Sequence, residues 1–154
     1  MNISQAVPNF SAISDTGQTI TLEKLRGQWV ILYFYPKDSS YGCSVEAQKF
    51  EQSLPEFQTR NAQVVGVSTG SSASQNKFRE KCNLSFPLLP DTDKSIAKAY
   101  GVINGLMALM GNADRQTFLI DPDGNLAYHW KFVNPFSHAT EVLQELEKHQ
   151  LAKV

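Results

Sequence analysis

Apolar positions along the chain change period several times, and each change marks an element. Residues 29–35, Trp-Val-Ile-Leu-Tyr-Phe-Tyr, form an unbroken apolar and aromatic run. Such a run predicts a strand buried on both faces, and Pro36 stops it. Val64-Val65-Gly66-Val67-Ser68 predicts a second buried strand. Between them Val45, Ala47, Phe50, Leu54 and Phe57 recur at helical spacing, with Pro55 expected to bend or break the second half. Upstream, Phe10-Ser11-Ala12-Ile13 and Thr19-Ile20-Thr21 flank Asp15-Thr16-Gly17, the pattern of a hairpin. Residues 22–27 read as one helical turn closed by Gly27.

Downstream, residues 73–82 predict a helix with Asn83 as a left-handed stop. Phe86-Pro87-Leu88-Leu89 reads as a short strand before an Asp91-Thr92-Asp93 turn, and residues 96–100 as a helix ending at Gly101. Residues 117–120 and 126–130 flank Asp121-Pro122-Asp123-Gly124, a hairpin turn. Residues 139–151 close the chain as an amphipathic helix, with Val142, Leu143, Leu146 and Leu151 expected toward the core. After the N-terminal hairpin the order is β-α-β-α-β-α-β-β-α. Alternation first and an antiparallel pair last predict an α/β protein with a mixed central β-sheet flanked by helices, and a thioredoxin-like fold satisfies that order. No repeat, low-complexity segment or linker divides the chain, so residues 1–154 read as a single domain.

Composition narrows the classes. With 42% hydrophobic residues in 154, a real core is expected rather than disorder. Fourteen basic against fifteen acidic side chains leave a net charge of -1, and no basic stripe calls for nucleic acid or an anionic membrane. The apolar runs are too short to span a bilayer. The first residues, Met-Asn-Ile-Ser-Gln, have neither a charged start nor an apolar stretch, so no secretory signal is expected. Two cysteines, Cys43 and Cys82, cannot build the disulfide framework of a small secreted protein, and a cytoplasmic setting is expected. In that setting the sequons at Asn2, Asn9 and Asn83 are chance matches.

Chemistry concentrates in residues 35–46, where a strand ends, a loop turns and Cys43 sits at the start of a helix. Free N–H groups and partial positive charge at a helix start favour an anion, hence a thiolate. An unperturbed thiol near pKa 8.5 would be only ~3% ionised at pH 7, so such help matters. Taken singly, Cys43 reads as a small buried residue, Ser40 as a helix cap and Pro36 as a strand terminator. Arg115 reads alone as a surface ion pair at a strand entrance.

Together these residues form a motif. Pro36-x-x-x-Ser40-x-x-Cys43 resembles the active-site motif of the peroxiredoxins. The wider run, Phe34-Tyr35-Pro36-Lys37-Asp38 through Gly42-Cys43-Ser44-x-Glu46-Ala47, is similar to the peroxiredoxin Q branch, also called bacterioferritin comigratory protein. Phe86-Pro87-Leu88-Leu89-x-Asp91, Arg115-x-Thr117-Phe118-Leu119-Ile120-Asp121 and His138-Ala139-x-Glu141-Val142-Leu143 fall where that branch has them, so the resemblance covers nearly the whole chain. It implies a thiol peroxidase for hydrogen peroxide and organic hydroperoxides, with Cys43 as the nucleophile that becomes a sulfenic acid. Arg115 would be the fixed guanidinium beside it, Ser40 a hydroxyl bonded to sulfur or peroxide, and Pro36 a cover limiting water. A thiol donor such as thioredoxin would re-reduce the protein, which would need no cofactor. A monomer is expected, with a weak dimer as the alternative.

Three positions depart from the branch. Ser40 stands where Thr is usual and keeps the hydroxyl. Tyr41 stands where Pro is usual, which bears on loop rigidity and substrate range. Gln48 occupies a position where many members carry a resolving cysteine; others place it near Arg79, and Cys82 lies about one helical turn further on. Cys82 therefore has two readings, a resolving thiol or a buried structural one. Residues 104–111, rich in methionine and bounded by glycines, read either as a segment packed on the domain or as an apolar collar or contact patch.

Two rival functions fit less well. A thiol–disulfide oxidoreductase would want Cys-x-x-Cys, and the chain has Cys43-Ser44-Val45-Glu46. A redox sensor or holdase on the same scaffold would not need Pro36, Ser40, Cys43 and Arg115 together. His129, His138 and His149 lack metal-ligand spacing, and no phosphate loop or nucleotide fingerprint is present.

Overall fold

The computed structural model describes residues 1–103 and 106–152. Strand β3 (Trp29–Phe34) lies at the centre of a five-stranded sheet, and all six of its residues are buried. On one side it pairs in parallel with β4 (Ala62–Ser68), which pairs in parallel with β5 (Leu88–Pro90). On the other it pairs antiparallel with β6 (Gln116–Ile120), which pairs antiparallel with β7 (Leu126–Trp130). The spatial order is β5-β4-β3-β6-β7. A separate two-stranded hairpin, β1 (Ser11–Ile13) with β2 (Thr19–Thr21), precedes the sheet, and a short 3-10 turn at Glu23–Leu25 leads into β3.

The two-residue period of β3 divides the core. Trp29, Ile31 and Tyr33 join a cluster with Phe50 and Phe57 of α1 (Tyr41–Thr59), Phe78 of α2 (Ser72–Cys82), and Val142 and Leu146 of α4 (His138–Ala152). Val30, Leu32 and Phe34 join the opposite cluster with Val7, Phe10 and Leu22, and with Ile96 and Ala97 of the short helix α3 (Ser95–Ala99). The unbroken apolar run is thus required, because neither face of this strand meets water. Each fully buried side chain of this size contributes roughly 1.5–3 kcal/mol.

Most predicted elements fall in place, including the left-handed stop at Asn83 (φ 53°, ψ 50°). Three details differ. Helix α1 continues through Pro55 without a break; Pro55 is exposed, so the carbonyl it deprives of a donor is open to water. Strand β5 starts two residues later than predicted and ends on Pro90, tolerated because β5 is an edge strand. Leu151 is 68% exposed rather than in the core, since the last buried apolar residue of α4 is Leu146. Arg79 clamps the hairpin to α2 and the chain before β5: its guanidinium donates to both Asp15 oxygens (2.7 and 2.8 Å) and to the Leu84 and Phe86 carbonyls. In the methionine-rich segment, residues 104 and 105 and the side chains of Leu106 and Met107 lie outside the described residues, while Leu109 and Met110 are exposed. No helix among the described residues is long and apolar enough to cross a membrane.

Candidate active site

The loop after β3 turns through Ser39, held at φ 65°, and delivers the chain into α1 with Ser40 as its N-cap. Ser40 Oγ accepts the Cys43 N–H (3.3 Å), and Ser40 O accepts the Ser44 N–H (2.8 Å). This leaves the Ser40 hydroxyl hydrogen free to donate elsewhere. Cys43 is in the first turn of the helix, with its thiol buried. The partial positive charge of the helix start lies beneath it.

Arg115, just before β6, reaches across to the same point. Its Nη2 donates to Cys43 Sγ at 3.3 Å, and its Nη1 to Glu46 Oε1 at 2.7 Å. Cys43 and Glu46 are three residues apart, so the helix presents both on one face and a single guanidinium bridges them. Glu46 is fully buried. Burial pushes its carboxyl up to about 7, against the pull of Arg115, whose charge and hydrogen bond favour the ionised form. The sulfur, the cation and the buried carboxylate form a chain in which each member fixes the next.

The surroundings are aromatic. Tyr33 lies within electrostatic reach of Glu46, Cys43 and Cys82; burial holds its phenol well above the ordinary value, and Glu46 adds to the rise. Gly66 makes room for this ring, since a Cβ there would come within 3.0–3.1 Å of Tyr33 ring carbons. Behind Arg115, Thr117 Oγ1 and His138 Nε2 are 2.7 Å apart. His138 is buried between the rings of Phe50 and Trp130, and its imidazole is lowered to about 4, by burial first and by Arg115 second.

Pro36 is half-buried at the end of β3. The following loop is tied to its neighbours at several points. Asp38 accepts from Ser74 Oγ of α2 (2.7 Å) and from Ser68 Oγ of β4 (3.0 Å), and Lys81 Nζ of α2 donates to Ser39 O (3.3 Å). A Cβ on Gly70 would collide with the Asp38 carboxylate, so this close approach requires glycine.

Three of the predicted site residues thus meet: Ser40 and Cys43 through the helix cap, and Arg115 from 72 residues away, while Pro36 lies in the loop between β3 and α1. Cys82 is the last residue of α2, a buried free thiol in the same apolar cluster as Cys43, Tyr33 and Phe78. Sequence reasoning did not assign roles to Glu46, Tyr33 or His138. Glu46 had a signal, an acidic residue set among Cys43, Ala47 and Phe50 on the apolar face of a predicted helix. Among the described residues no group of three side chains could hold a metal ion.

Comparison with known proteins places this arrangement. The profile of the AhpC/TSA family matches residues 3–129. The chain is 38% identical over 151 residues to Peroxiredoxin Bcp of Bacillus subtilis, covering 96% of each. Its fold is similar to that of a cysteine-to-serine mutant of Xylella fastidiosa PrxQ, with a TM-score of 0.90 and 36% identity over 97% of this chain and 98% of the other. It is also similar to the Xanthomonas campestris bacterioferritin comigratory protein whose crystallography concerned alkyl peroxide reduction (TM-score 0.87, 32% identity, 96% of this chain and 99% of the other).

Proposed function

The chain belongs to the AhpC/TSA family, in its Bcp or peroxiredoxin Q branch, and from that premise we propose that this peroxidase works through Cys43. The observation that carries the assignment is the 3.3 Å approach of Arg115 Nη2 to Cys43 Sγ at a helix N-terminus. Helix start and guanidinium both stabilise negative charge on sulfur.

In this reading the Cys43 thiolate attacks one oxygen of a hydroperoxide. The S–O bond forms as the O–O bond breaks, and the other oxygen leaves as hydroxide or alkoxide and takes up a proton. Cys43 becomes a sulfenic acid and the peroxide is reduced to water or an alcohol. Arg115 donates to the charge developing on the oxygens, and Glu46, holding Nη1, keeps Nη2 aimed at the sulfur. The Ser40 hydroxyl, anchored by the Cys43 amide, donates to the peroxide, and Pro36, which has no N–H, shields the thiolate.

The second step falls to Cys82. Its thiolate attacks the sulfenic sulfur, an S–S bond forms as the S–O bond breaks, and the hydroxide that leaves takes up a proton to become water. The sulfurs must come within ~2 Å, so the first turn of α1 and the last turn of α2 must unwind. A thiol donor, thioredoxin or a smaller thiol, then reduces the disulfide by exchange. What supports this route is that both thiols are free and belong to one apolar cluster.

The test is the intact mass after one equivalent of hydrogen peroxide. A loss of about two mass units in the wild type, absent in Cys82→Ser, is expected from the two hydrogens removed. A trappable sulfenic acid on Cys43 in both would establish a one-cysteine cycle. An unmodified Cys43 in both would overturn the assignment.

A further inference from the structure

Two large rings stand in solvent at the mouth of the site. Tyr41, the first helical residue of α1, is 76% exposed, and Phe136 is 57% exposed. Their centroids are 6.1 Å apart, inclined at 53°. Phe136 belongs to the connection between β7 and α4, and that connection is anchored. Asn134 accepts the Phe136 N–H on its side chain (3.0 Å) and the Ser137 and His138 N–H groups on its carbonyl (3.2 and 3.0 Å). His138, next but one, is fixed in the core. The ring is therefore held outward rather than left on a slack loop.

The rings adjoin the reacting centre. Between Tyr41 and Cys43 stands Gly42, where a Cβ would lie 3.2 Å from Arg115 Nη2 and 3.6 Å from Pro135 Cγ. The same guanidinium nitrogen contacts Cys43 Sγ. Thus Tyr41, Pro135 and Phe136 adjoin the guanidinium that contacts the sulfur. We propose that the Tyr41–Phe136 pair binds the organic group of an apolar hydroperoxide, and that Tyr41 is a specificity-determining residue for this enzyme.

The proposal rests on Cys43 being the nucleophile. A hydroperoxide whose reacting oxygen meets Cys43 Sγ must leave its organic group outside, because the thiol is buried in an apolar cluster that includes Tyr33, Phe50 and Ala47. That group then lies against the rings, which lose water contact only when a substrate with a tail is present. Hydrogen peroxide has no tail and gains nothing. The size of the patch also favours a small occupant. Two rings expose on the order of 250 Å², well below the ~800 Å² per partner of a standard protein interface.

The test is single-turnover oxidation of Cys43, followed by quenching and mass, with cumene hydroperoxide and with hydrogen peroxide. The readout is the ratio of the two rate constants within each variant, so loss of fold or of general reactivity cancels. Tyr41→Ser and Phe136→Ser should each lower the cumene-to-hydrogen-peroxide ratio about tenfold, the low end of what apolar contacts discriminate. Tyr41→Phe, which keeps the ring, should hold the ratio within about twofold. An unchanged ratio in both serine variants overturns the proposal, as does a Tyr41→Phe ratio as low as that of Tyr41→Ser. Slower turnover confined to the donor-dependent step, with the ratio intact, overturns it in favour of a docking surface for the reductant. Absence of Cys43 oxidation by either peroxide in the wild type is a separate result and defeats the underlying assignment itself.

Discussion

Cys43 and Cys82 are buried thiols of one apolar cluster, yet they occupy opposite ends of their helices. Cys43 lies in the first turn of α1, at the partly positive end of the helix and in contact with a guanidinium. Cys82 is the last residue of α2, where the helix presents carbonyl groups and Asn83 turns the chain away. Burial alone makes neither sulfur reactive. In the reading proposed above, the end of the helix and the position of one cation separate the attacking sulfur from the resolving one.

That contrast can be broken at several points, beginning with the most severe. Cys43→Ser should abolish peroxide turnover, since a hydroxyl does not replace a thiolate; turnover near wild type would remove the distinction altogether. Arg115→Ala should slow Cys43 oxidation by roughly 10²–10³, the usual loss on removing one charge-stabilising donor. A rate unchanged in stopped-flow measurements would reduce Arg115 to a structural ion pair.

Glu46 sharpens the comparison through pH. Its folded-state pKa, about 7, is raised from 4.5, so the native protein holds that proton more tightly than the unfolded chain does. Its contribution to stability is therefore full below pH ~4.5 and is lost as pH rises through about 7. The loss should amount to about 3 kcal/mol, seen as the pH-dependent difference between wild type and Glu46→Gln in denaturant unfolding. His138 has the opposite sign: lowered to about 4, it contributes above pH ~6.5 and is lost as pH falls through 4. Parallel wild-type and Glu46→Gln curves would show that Glu46 is not titrating as a buried group.

The smallest expected effect concerns Cys82. Cys82→Ser should leave the first oxidation of Cys43 within about twofold, because it removes no donor or charge from the sulfur's surroundings, while disulfide formation disappears. A first step slowed tenfold would mean that Cys82 supports the attacking sulfur rather than following it.

The chain disclosed much of this to a reader of its sequence, but unevenly. Residues 29–35 announced the central strand because burial on both faces leaves no room for alternation. Cys43 and Ser40 were legible at a helix start because one local turn, capped by Ser40, places both. Arg115 was not, since only the pairing of β3 with β6 carries it across the sheet; resemblance identified it, and isolated reading favours a surface ion pair. Leu151 misled because helical periodicity continues past Leu146, the last apolar side chain of α4 that the core buries. Phe136 gave no signal, for an exposed ring in a connection acquires meaning only from what lies beneath it.

The position of β3 has a consequence for how the protein is made. One neighbour, β4, emerges within about thirty residues, but the register with β6 pairs Val30 with Ile120 and Phe34 with Gln116. At roughly 5–20 residues per second on the ribosome, that edge of β3 waits about 4–17 seconds for its partner. Throughout the delay a hexapeptide without charge, proline or glycine presents open backbone groups, the composition that seeds intermolecular stacking. The segment that ends as the best-protected part of the fold begins as its chief aggregation hazard, and nascent-chain chaperones should find their strongest binding site in this protein there.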